Sequence, residues 1–327
     1  MTVIEPKPGA KVDAKKIVSW AGSALMVVSI GFIFGRLRTY GLDLSLLTSP
    51  WVVAGLLVVA FIESLGIVGA SLNYRAIIKN ISGVKLFRPF AVMVYNVSNL
   101  YKYIPGGVMY VLGRNRLAVE TEGLSHAKVA FATVFEGGLV ALSGLVVALV
   151  FSFEHSIYYI RQLTFSPVFL VAAIAVPAVI FPPVYIFRKD IKQLFGQFFS
   201  TVEILKPAVF VKRFGFALFL MFLWGMSFVA VITLLGQPMT LSLALTVVGL
   251  YLLGWLAGFL TPGAPSGFGI REAVLLMLMP GMVVESVLLS AMLIHRIITV
   301  IGDVFAYCIA VIYERASKNE NETQIPI

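Results

Sequence analysis

Apolar residues occur along this chain in long runs rather than at alternating positions. Each run approaches or exceeds the roughly 20 residues that a helix needs to cross a hydrocarbon core ~30 Å thick. The runs cover residues 17–35, 51–72, 127–152, 168–187, 214–235 and 284–313. The pattern predicts an all-α polytopic membrane protein with about six full transmembrane helices, folded as a single membrane domain over residues 1–327.

Two further apolar segments, 87–112 and 243–280, are interrupted by Pro and Gly. The interruptions are Lys102-Tyr103-Ile104-Pro105-Gly106-Gly107 and Thr261-Pro262-Gly263-Ala264-Pro265-Ser266-Gly267-Phe268-Gly269. Such clusters end a helix, and irregular backbone at membrane depth must be buried in protein or face water. Each segment is therefore predicted to be a re-entrant helical hairpin.

Basic residues between the runs indicate which loops face the cytoplasm. Lys and Arg are concentrated before residue 17, at 75–88, at 114–128, in a connector at 188–213 and after residue 313. We expect all five stretches, including both termini, to be cytoplasmic, in a plasma or inner membrane. The first hairpin then opens to the cytoplasm and the second to the outside.

The two hairpins share a spacing. Pro105 precedes Arg114 by nine residues, and Pro262 precedes Arg271 by the same nine. Each hairpin also lies between two full crossings. This outline predicts an inverted-topology repeat with units at 51–152 and 214–313, an arrangement that many transporters use.

The composition of the chain excludes several classes of function and of site. The chain is 59% hydrophobic and 13% charged, and its formal net charge of +9 comes from basic residues in the connections, which meet lipid headgroups rather than nucleic acid. Cys308 is the single cysteine, which excludes an intrachain disulfide and a Cys-rich metal site. We predict no cofactor, no metal and no catalytic residue.

The hairpins are the candidate substrate site. Gly-rich turns expose backbone N–H groups, and Arg114 and Arg271 follow them with a planar fork that suits a phosphate. In the alternative interpretation, the Pro and Gly residues only kink helices, and both Arg residues are anchors at the membrane interface.

Charged residues inside the apolar runs form a second candidate set: Glu63, Glu136, His295, Arg296 and Asp303. Charge at such depth is costly, so these side chains are expected to face a cavity or a partner. In one interpretation these residues pair only for stability. In the other, Glu63, Glu136 or Asp303 takes up a proton during transport or neutralises the Arg residues when substrate is absent. The sequence leaves both interpretations open.

The motif from Ser98 to Gly107 with Arg114 after it, and the later motif from Thr261 to Glu272, resemble the lysylphosphatidylglycerol synthase transmembrane family over nearly the whole chain. The resemblance implies a flippase-like membrane region. No soluble aminoacyl-transferase domain follows the last run, so synthase activity is not expected. The predicted substrate-binding residues are Asn99, Lys102, Tyr103, Pro105, Gly106, Gly107, Arg114, Pro262, Gly263, Ser266, Gly267, Gly269, Arg271 and Glu272.

Three functions remain open from sequence. The leading one is a flippase for an anionic, phosphate-bearing lipid or a polyprenyl-phosphate-linked sugar. The second is an accessory subunit of a membrane enzyme of lipid or glycan synthesis. The third is an intramembrane hydrolase that uses Ser266 and His295. The sequence does not indicate a homo-oligomeric state.

Cysteine labelling in a Cys308→Ala background tests the predicted sides. Positions near 80, 120, 200 and 320 should react from the cytoplasm, and those near 45, 158 and 239 from outside, because the basic stretches flank the former. Labelling of position 120 from outside would turn the first hairpin into a crossing and remove the inverted repeat.

Overall fold

The structure, a computed structural model, describes residues 38, 48–103, 109–122, 124–163, 207–261 and 265–323. Within these ranges every regular element is a helix. The helices are α1 (Pro50–Ser82), α2 (Arg88–Leu100), α3 (Met109–Glu122), α4 (His126–Leu163), α5 (Pro207–Leu234), α6 (Leu241–Leu260), α7 (Ile270–Leu278) and α8 (Glu285–Thr323). Two short 3₁₀ segments, turn 1 (Tyr101–Tyr103) and turn 2 (Pro265–Gly267), complete the fold.

Five helices, α1, α4, α5, α6 and α8, contain segments long and apolar enough to cross a membrane. The chain is an all-α polytopic membrane protein. Four of the predicted crossings, 51–72, 127–152, 214–235 and 284–313, coincide with α1, α4, α5 and α8. The predicted crossings 17–35 and 168–187 lie outside the described residues.

Local sequence explains where several helices begin and end. α1 starts at Pro50, whose fixed φ suits a first helical position, and stops at Gly83 in the left-handed region with φ of 79°. α6 is capped by Thr240, whose hydroxyl accepts a hydrogen bond from the Leu243 N–H at 3.3 Å. α5 already begins at Pro207, so the last seven residues of the predicted connector 188–213 belong to this helix.

The first predicted hairpin consists of α2, turn 1 and α3. Its return arm continues to Glu122, beyond the predicted end at residue 112. The second consists of α6, turn 2 and α7, and its arms are unequal. α6 has 20 residues, enough to span a membrane alone, so it is not the short arm expected of a re-entrant segment. The chain nevertheless turns back, and α7 packs along α6.

Close glycine contacts show the relative directions of the helices. α1 and α5 are antiparallel, since an added Cβ at Gly55 would meet Leu234 while one at Gly69 would meet Phe216. α4 and α6 are also antiparallel, because Gly137 faces Phe259 and Gly249 faces Ser152. The two hairpins therefore run in opposite directions, as predicted.

The helix contacts repeat between the unit α1–α4 and the unit α5–α8. In this comparison α1 corresponds to α5, α2 to α6, α3 to α7 and α4 to α8. The contact of α4 with α6 then corresponds to that of α8 with α2, and the contact of α1 with α8 corresponds to that of α5 with α4. All four contacts are present. One pair is unequal. α3 packs closely on α4, whereas α7 reaches α8 chiefly through an ion pair between Glu272 and Arg296. These paired contacts and opposite directions favour the predicted inverted-topology repeat.

We expect Gly258→Ala to destabilise the protein. An added Cβ would lie 2.9 Å from the Cα of Gly267, a backbone atom that can move only with the whole of turn 2. Overpacking of this kind costs about 1–3 kcal/mol. Gly215→Ala is the matched control, because nothing lies within 4 Å of its added Cβ and Ala favours a helix.

Thermal unfolding in detergent measures both variants. The melting temperature should fall for Gly258→Ala and stay equal or rise for Gly215→Ala. Equal melting temperatures for the two variants would contradict the close approach of turn 2 to α6.

Candidate functional site

The tips of the two hairpins meet inside the helix bundle. Turn 1 contacts turn 2, and a cavity of about 420 Å³ lies beside them. Its charged lining residues are Glu63, Lys102, Arg114, Glu136, Arg271 and Asp303. Its aromatic lining residues are Tyr95, Tyr103, Trp224, Tyr251, Trp255 and Phe259. The cavity thus joins charged groups from both units in one space among apolar helices.

Arg114 on α3 is held on several sides. Its Nη1 lies 2.9 Å from Oε2 of Glu136, and its Nε donates to Ser98 at 3.2 Å. The guanidinium lies 4.6 Å from the ring centre of Tyr74 and 4.1 Å from that of Tyr95. Only 2% of Arg114 is exposed. A buried, stacked and paired guanidinium of this kind anchors α3 to α4.

Arg271 on α7 has the same spacing from its Pro-Gly pair but weaker contacts. Its Nη2 lies 3.1 Å from Oε1 of Glu272, and its Nη1 donates to the Tyr251 hydroxyl at 3.4 Å. Oε1 of Glu272 also lies 3.2 Å from Nη2 of Arg296, and its Oε2 accepts a hydrogen bond from the Gly269 N–H at 2.8 Å. The N–H group predicted to face an anion is therefore bonded to the carboxylate of Glu272.

Turn 2 has an unusual backbone. Ser266 has a φ of 50°, and Gly267 and Gly269 follow with φ of 66° and 84°. A serine in the left-handed region is strained by roughly 1–2 kcal/mol. The Ser266 carbonyl accepts a hydrogen bond from Nη2 of Arg296 at 3.4 Å. Strain held by a neighbouring cation beside a cavity is typical of a functional site.

Asp303 on α8 holds turn 1 in place. Its Oδ1 accepts from Nδ2 of Asn99 at 2.7 Å, and its Oδ2 accepts from the Tyr103 hydroxyl and lies 2.7 Å from Nζ of Lys102. Arg296, two turns earlier on α8, bonds turn 2 and Glu272. One helix therefore holds both hairpins, the first through a carboxylate and the second through a guanidinium.

Glu63 has a different kind of partner. Its Oε1 accepts from the Ser227 hydroxyl at 2.6 Å and lies 3.2 Å from Nε2 of His295. Ser227 also lies 2.9 Å from that nitrogen. The predicted pairing of Ser266 with His295 is not formed, since the histidine bonds Ser227 and Glu63 instead. This geometry does not favour the hydrolase.

The structure brings most of the predicted site together. Asn99, Lys102, Tyr103, Arg114, Ser266, Gly267 and Arg271 line the cavity, with Glu63, Glu136 and Asp303. Glu272, His295 and Arg296 lie behind that lining, and Gly269 caps α7. The predicted site residues Pro105, Gly106, Gly107, Pro262 and Gly263 lie outside the described residues.

Sequence reasoning missed several members of the site. Tyr74 and Tyr95 stack on Arg114, Ser227 links Glu63 to His295, and Trp224 and Trp255 form part of the cavity wall. Each is an aromatic or small polar residue inside an apolar run, where packing is its usual role. Their partners lie on other helices, so no spacing along the chain points to them.

We expect Glu136→Gln to destabilise the protein strongly, because Arg114 would keep a buried charge without its carboxylate. Breaking a buried pair by removing one partner costs about 3–5 kcal/mol. Arg114→Met with Glu136→Gln should be closer to wild type, because no uncompensated charge remains. Glu154→Gln, at an exposed position on the same helix, serves as the control.

The double-mutant cycle consists of thermal melts of wild type, Glu136→Gln, Arg114→Met and the double variant, with Glu154→Gln as the control. Additive effects of the two substitutions would contradict the pairing of Arg114 with Glu136.

Comparison with protein families and with curated proteins found no match for this chain. The family suggested by the two motifs therefore stays a prediction. The residues at the centre of both motifs, 104–108 and 262–264, are also outside the described ranges.

Proposed function

We propose that the chain is a flippase that moves an anionic, phosphate-bearing lipid or lipid-linked sugar between membrane leaflets. The observation that carries the proposal is the cavity where two oppositely directed hairpins meet. Each hairpin contributes a cation to its lining, Lys102 from the first and Arg271 from the second. Binding where inverted repeats meet, near the middle of the membrane, is the usual arrangement in secondary transporters.

The size of the cavity supports a headgroup rather than a whole lipid as its occupant. A volume of about 420 Å³ is at the lower end of the range for small-molecule sites. A phosphate with a glycerol or a sugar fits such a space, and acyl or polyprenyl chains do not. In the proposed mechanism the headgroup crosses through the cavity while the chains stay in the surrounding lipid.

The contacts of the cations support Lys102 and Arg271 as the phosphate ligands. The Lys102 side chain is 30% exposed, and its ammonium can turn from Asp303 toward a ligand. Arg271 makes bonds of 3.1–3.4 Å, and Glu272 keeps Arg296 when Arg271 turns away. Arg114, predicted from its spacing as the equivalent ligand, is committed to Glu136, Tyr74 and Tyr95, so we assign it a structural role.

The proposed alternating access depends on the bonds that Asp303 and Arg296 of α8 make with the two hairpins. Release of Asp303 from Lys102, Tyr103 and Asn99 would free turn 1, and release of Arg296 from Glu272 would free turn 2. Because the hairpins run in opposite directions, each release would open the cavity toward a different leaflet. The unequal packing of α3 on α4 and α7 on α8 supports one closed and one looser side in this conformation.

Purified protein in phosphatidylcholine vesicles tests the proposal. The probes are fluorescently labelled phosphatidylglycerol, phosphatidic acid and polyprenyl phosphate, with dithionite quenching to report the outer leaflet. We expect wild type to move at least one probe faster than protein-free vesicles do. Failure with every probe would refute the proposed function.

Arg271→Ala should weaken binding of the transported probe about ten- to a hundredfold, since a charge-assisted bond contributes about 1.5–3 kcal/mol. Arg271→Lys should recover part of the loss, because it keeps the charge and loses the fork. Arg75→Lys is the matched control, because Arg75 bonds the Leu86 carbonyl away from the cavity. Wild-type binding by a well-folded Arg271→Ala variant would remove Arg271 from the site.

A further inference from the structure

Among the described residues, the ion pairs beside the cavity contain equal numbers of cationic and carboxylate side chains. Its cations are Lys102, Arg114, Arg271 and Arg296, and its carboxylates are Glu63, Glu136, Glu272 and Asp303. With a neutral histidine the four positive charges equal the four negative ones. An anionic headgroup entering this cavity would leave one uncompensated negative charge in a medium of low dielectric constant.

Three of these carboxylates are bonded to a permanent cation. Glu136 holds Arg114, Glu272 holds two arginines, and Asp303 holds Lys102. Protonating any of them would break an ion pair. In the described part of the chain, the partners bonded to Glu63 are Ser227 and His295, neither of which carries a permanent charge.

The hydrogen bonds in this group leave room for one more proton. The Ser227 Oγ lies 2.6 Å from Oε1 of Glu63, 2.8 Å from the Trp224 carbonyl oxygen and 2.9 Å from Nε2 of His295. The single hydroxyl proton can be donated to the carboxylate or to the carbonyl, and an Nε2–H can donate to the oxygens of Glu63 and Ser227. The other ring nitrogen, Nδ1, is buried and has no hydrogen-bond partner among the described residues. His295 is 0% exposed, and a buried nitrogen without a partner calls for an explanation.

The other groups near Glu63 are paired with other residues or are neutral. Arg271 on α7 is close enough to interact with it electrostatically but is paired with Glu272. Tyr251 on α6 and Tyr103 in turn 1 are also within electrostatic range and are neutral as phenols. Glu136 on α4 and Asp303 on α8 line the same cavity as anions with their own partners.

We propose that Glu63 and His295, linked by Ser227, form a proton-binding site that loads one proton together with each anionic headgroup. The proton comes from water and is shared by the carboxylate and the imidazole. The added positive charge balances the single negative charge of a phosphodiester headgroup. Because linkage is reciprocal, the proton strengthens lipid binding and the lipid strengthens proton binding by the same factor.

This inference rests on the proposed function and gives it an energy source. A proton gradient would drive the lipid toward one leaflet. For one proton per lipid, a gradient of one pH unit shifts the equilibrium ratio of lipid between leaflets about tenfold, the ratio that corresponds to ~1.4 kcal/mol.

The vesicle assay measures this coupling with the probe that wild type moves. The leaflet ratio is determined with and without an imposed gradient of one pH unit. We expect the wild-type ratio to shift with the gradient. In Glu63→Gln and His295→Gln, any probe that still moves should reach a leaflet ratio that does not follow the gradient. Glu154→Gln, exposed on α4 and absent from the cavity lining, should respond as wild type does.

The outcomes separate the two proposals. Absence of lipid movement by wild type refutes the proposed function, whereas movement without any response to the gradient refutes only the proton site. Folded Glu63→Gln and His295→Gln variants that respond like wild type would assign the proton to another group.

If either variant is inactive or unfolded, proton uptake by wild type decides the case. A pH-sensitive dye in weakly buffered detergent solution should report about one proton taken up per short-chain phosphatidylglycerol bound, because this phosphodiester carries one negative charge and does not itself exchange a proton near neutral pH. Binding without proton uptake would overturn the inference.

Discussion

Compensation of charge at membrane depth is the constraint on which the rest of this structure depends. A charged side chain in an apolar bundle needs a partner of opposite sign, since lipid offers neither water nor counterions. Here the partners come from different helices, so satisfying the charges also sets the tertiary arrangement. Asp303 and Arg296 are both on α8, and between them they bond the tips of both hairpins. A single helix thereby determines where the irregular backbone of each hairpin lies.

The charge cluster lies between two units whose helix contacts favour the predicted inverted repeat. Two units with the same order of elements run in opposite directions, so their hairpins approach the middle of the bundle from opposite ends. The helix contacts follow the exchange of units closely, but the electrostatic roles do not. Turn 1 is bonded to α8 through Asp303, whereas turn 2 is bonded to the same helix through Arg296. The pseudo-symmetry therefore applies to the backbone, and the chemistry of the cavity is asymmetric.

Arg114 and Arg271 illustrate how equal spacing leads to unequal roles. Both follow a Pro-Gly pair by nine residues. Arg114 lies between two tyrosine rings and against Glu136, so it stabilises the packing of its hairpin. Arg271 shares its carboxylate with Arg296 and borders the cavity with longer bonds, which supports the proposed exchange of partners. The difference arises from the neighbouring helices, and a spacing rule carries no information about them.

The sequence by itself determined the membrane class, four of the crossings that the structure describes, the two broken segments and their opposite directions. These features follow from hydrophobic length, helix breakers and the placement of basic residues, all of which are local. Only the tertiary structure decided that α6 is as long as a full crossing, that the hairpin tips meet, and which carboxylate pairs with which cation. Glu63 and His295 are 232 positions apart in the numbering, yet they share one serine hydroxyl. Partners of this kind are selected by packing in three dimensions, because each side chain must find its counter-charge on another helix.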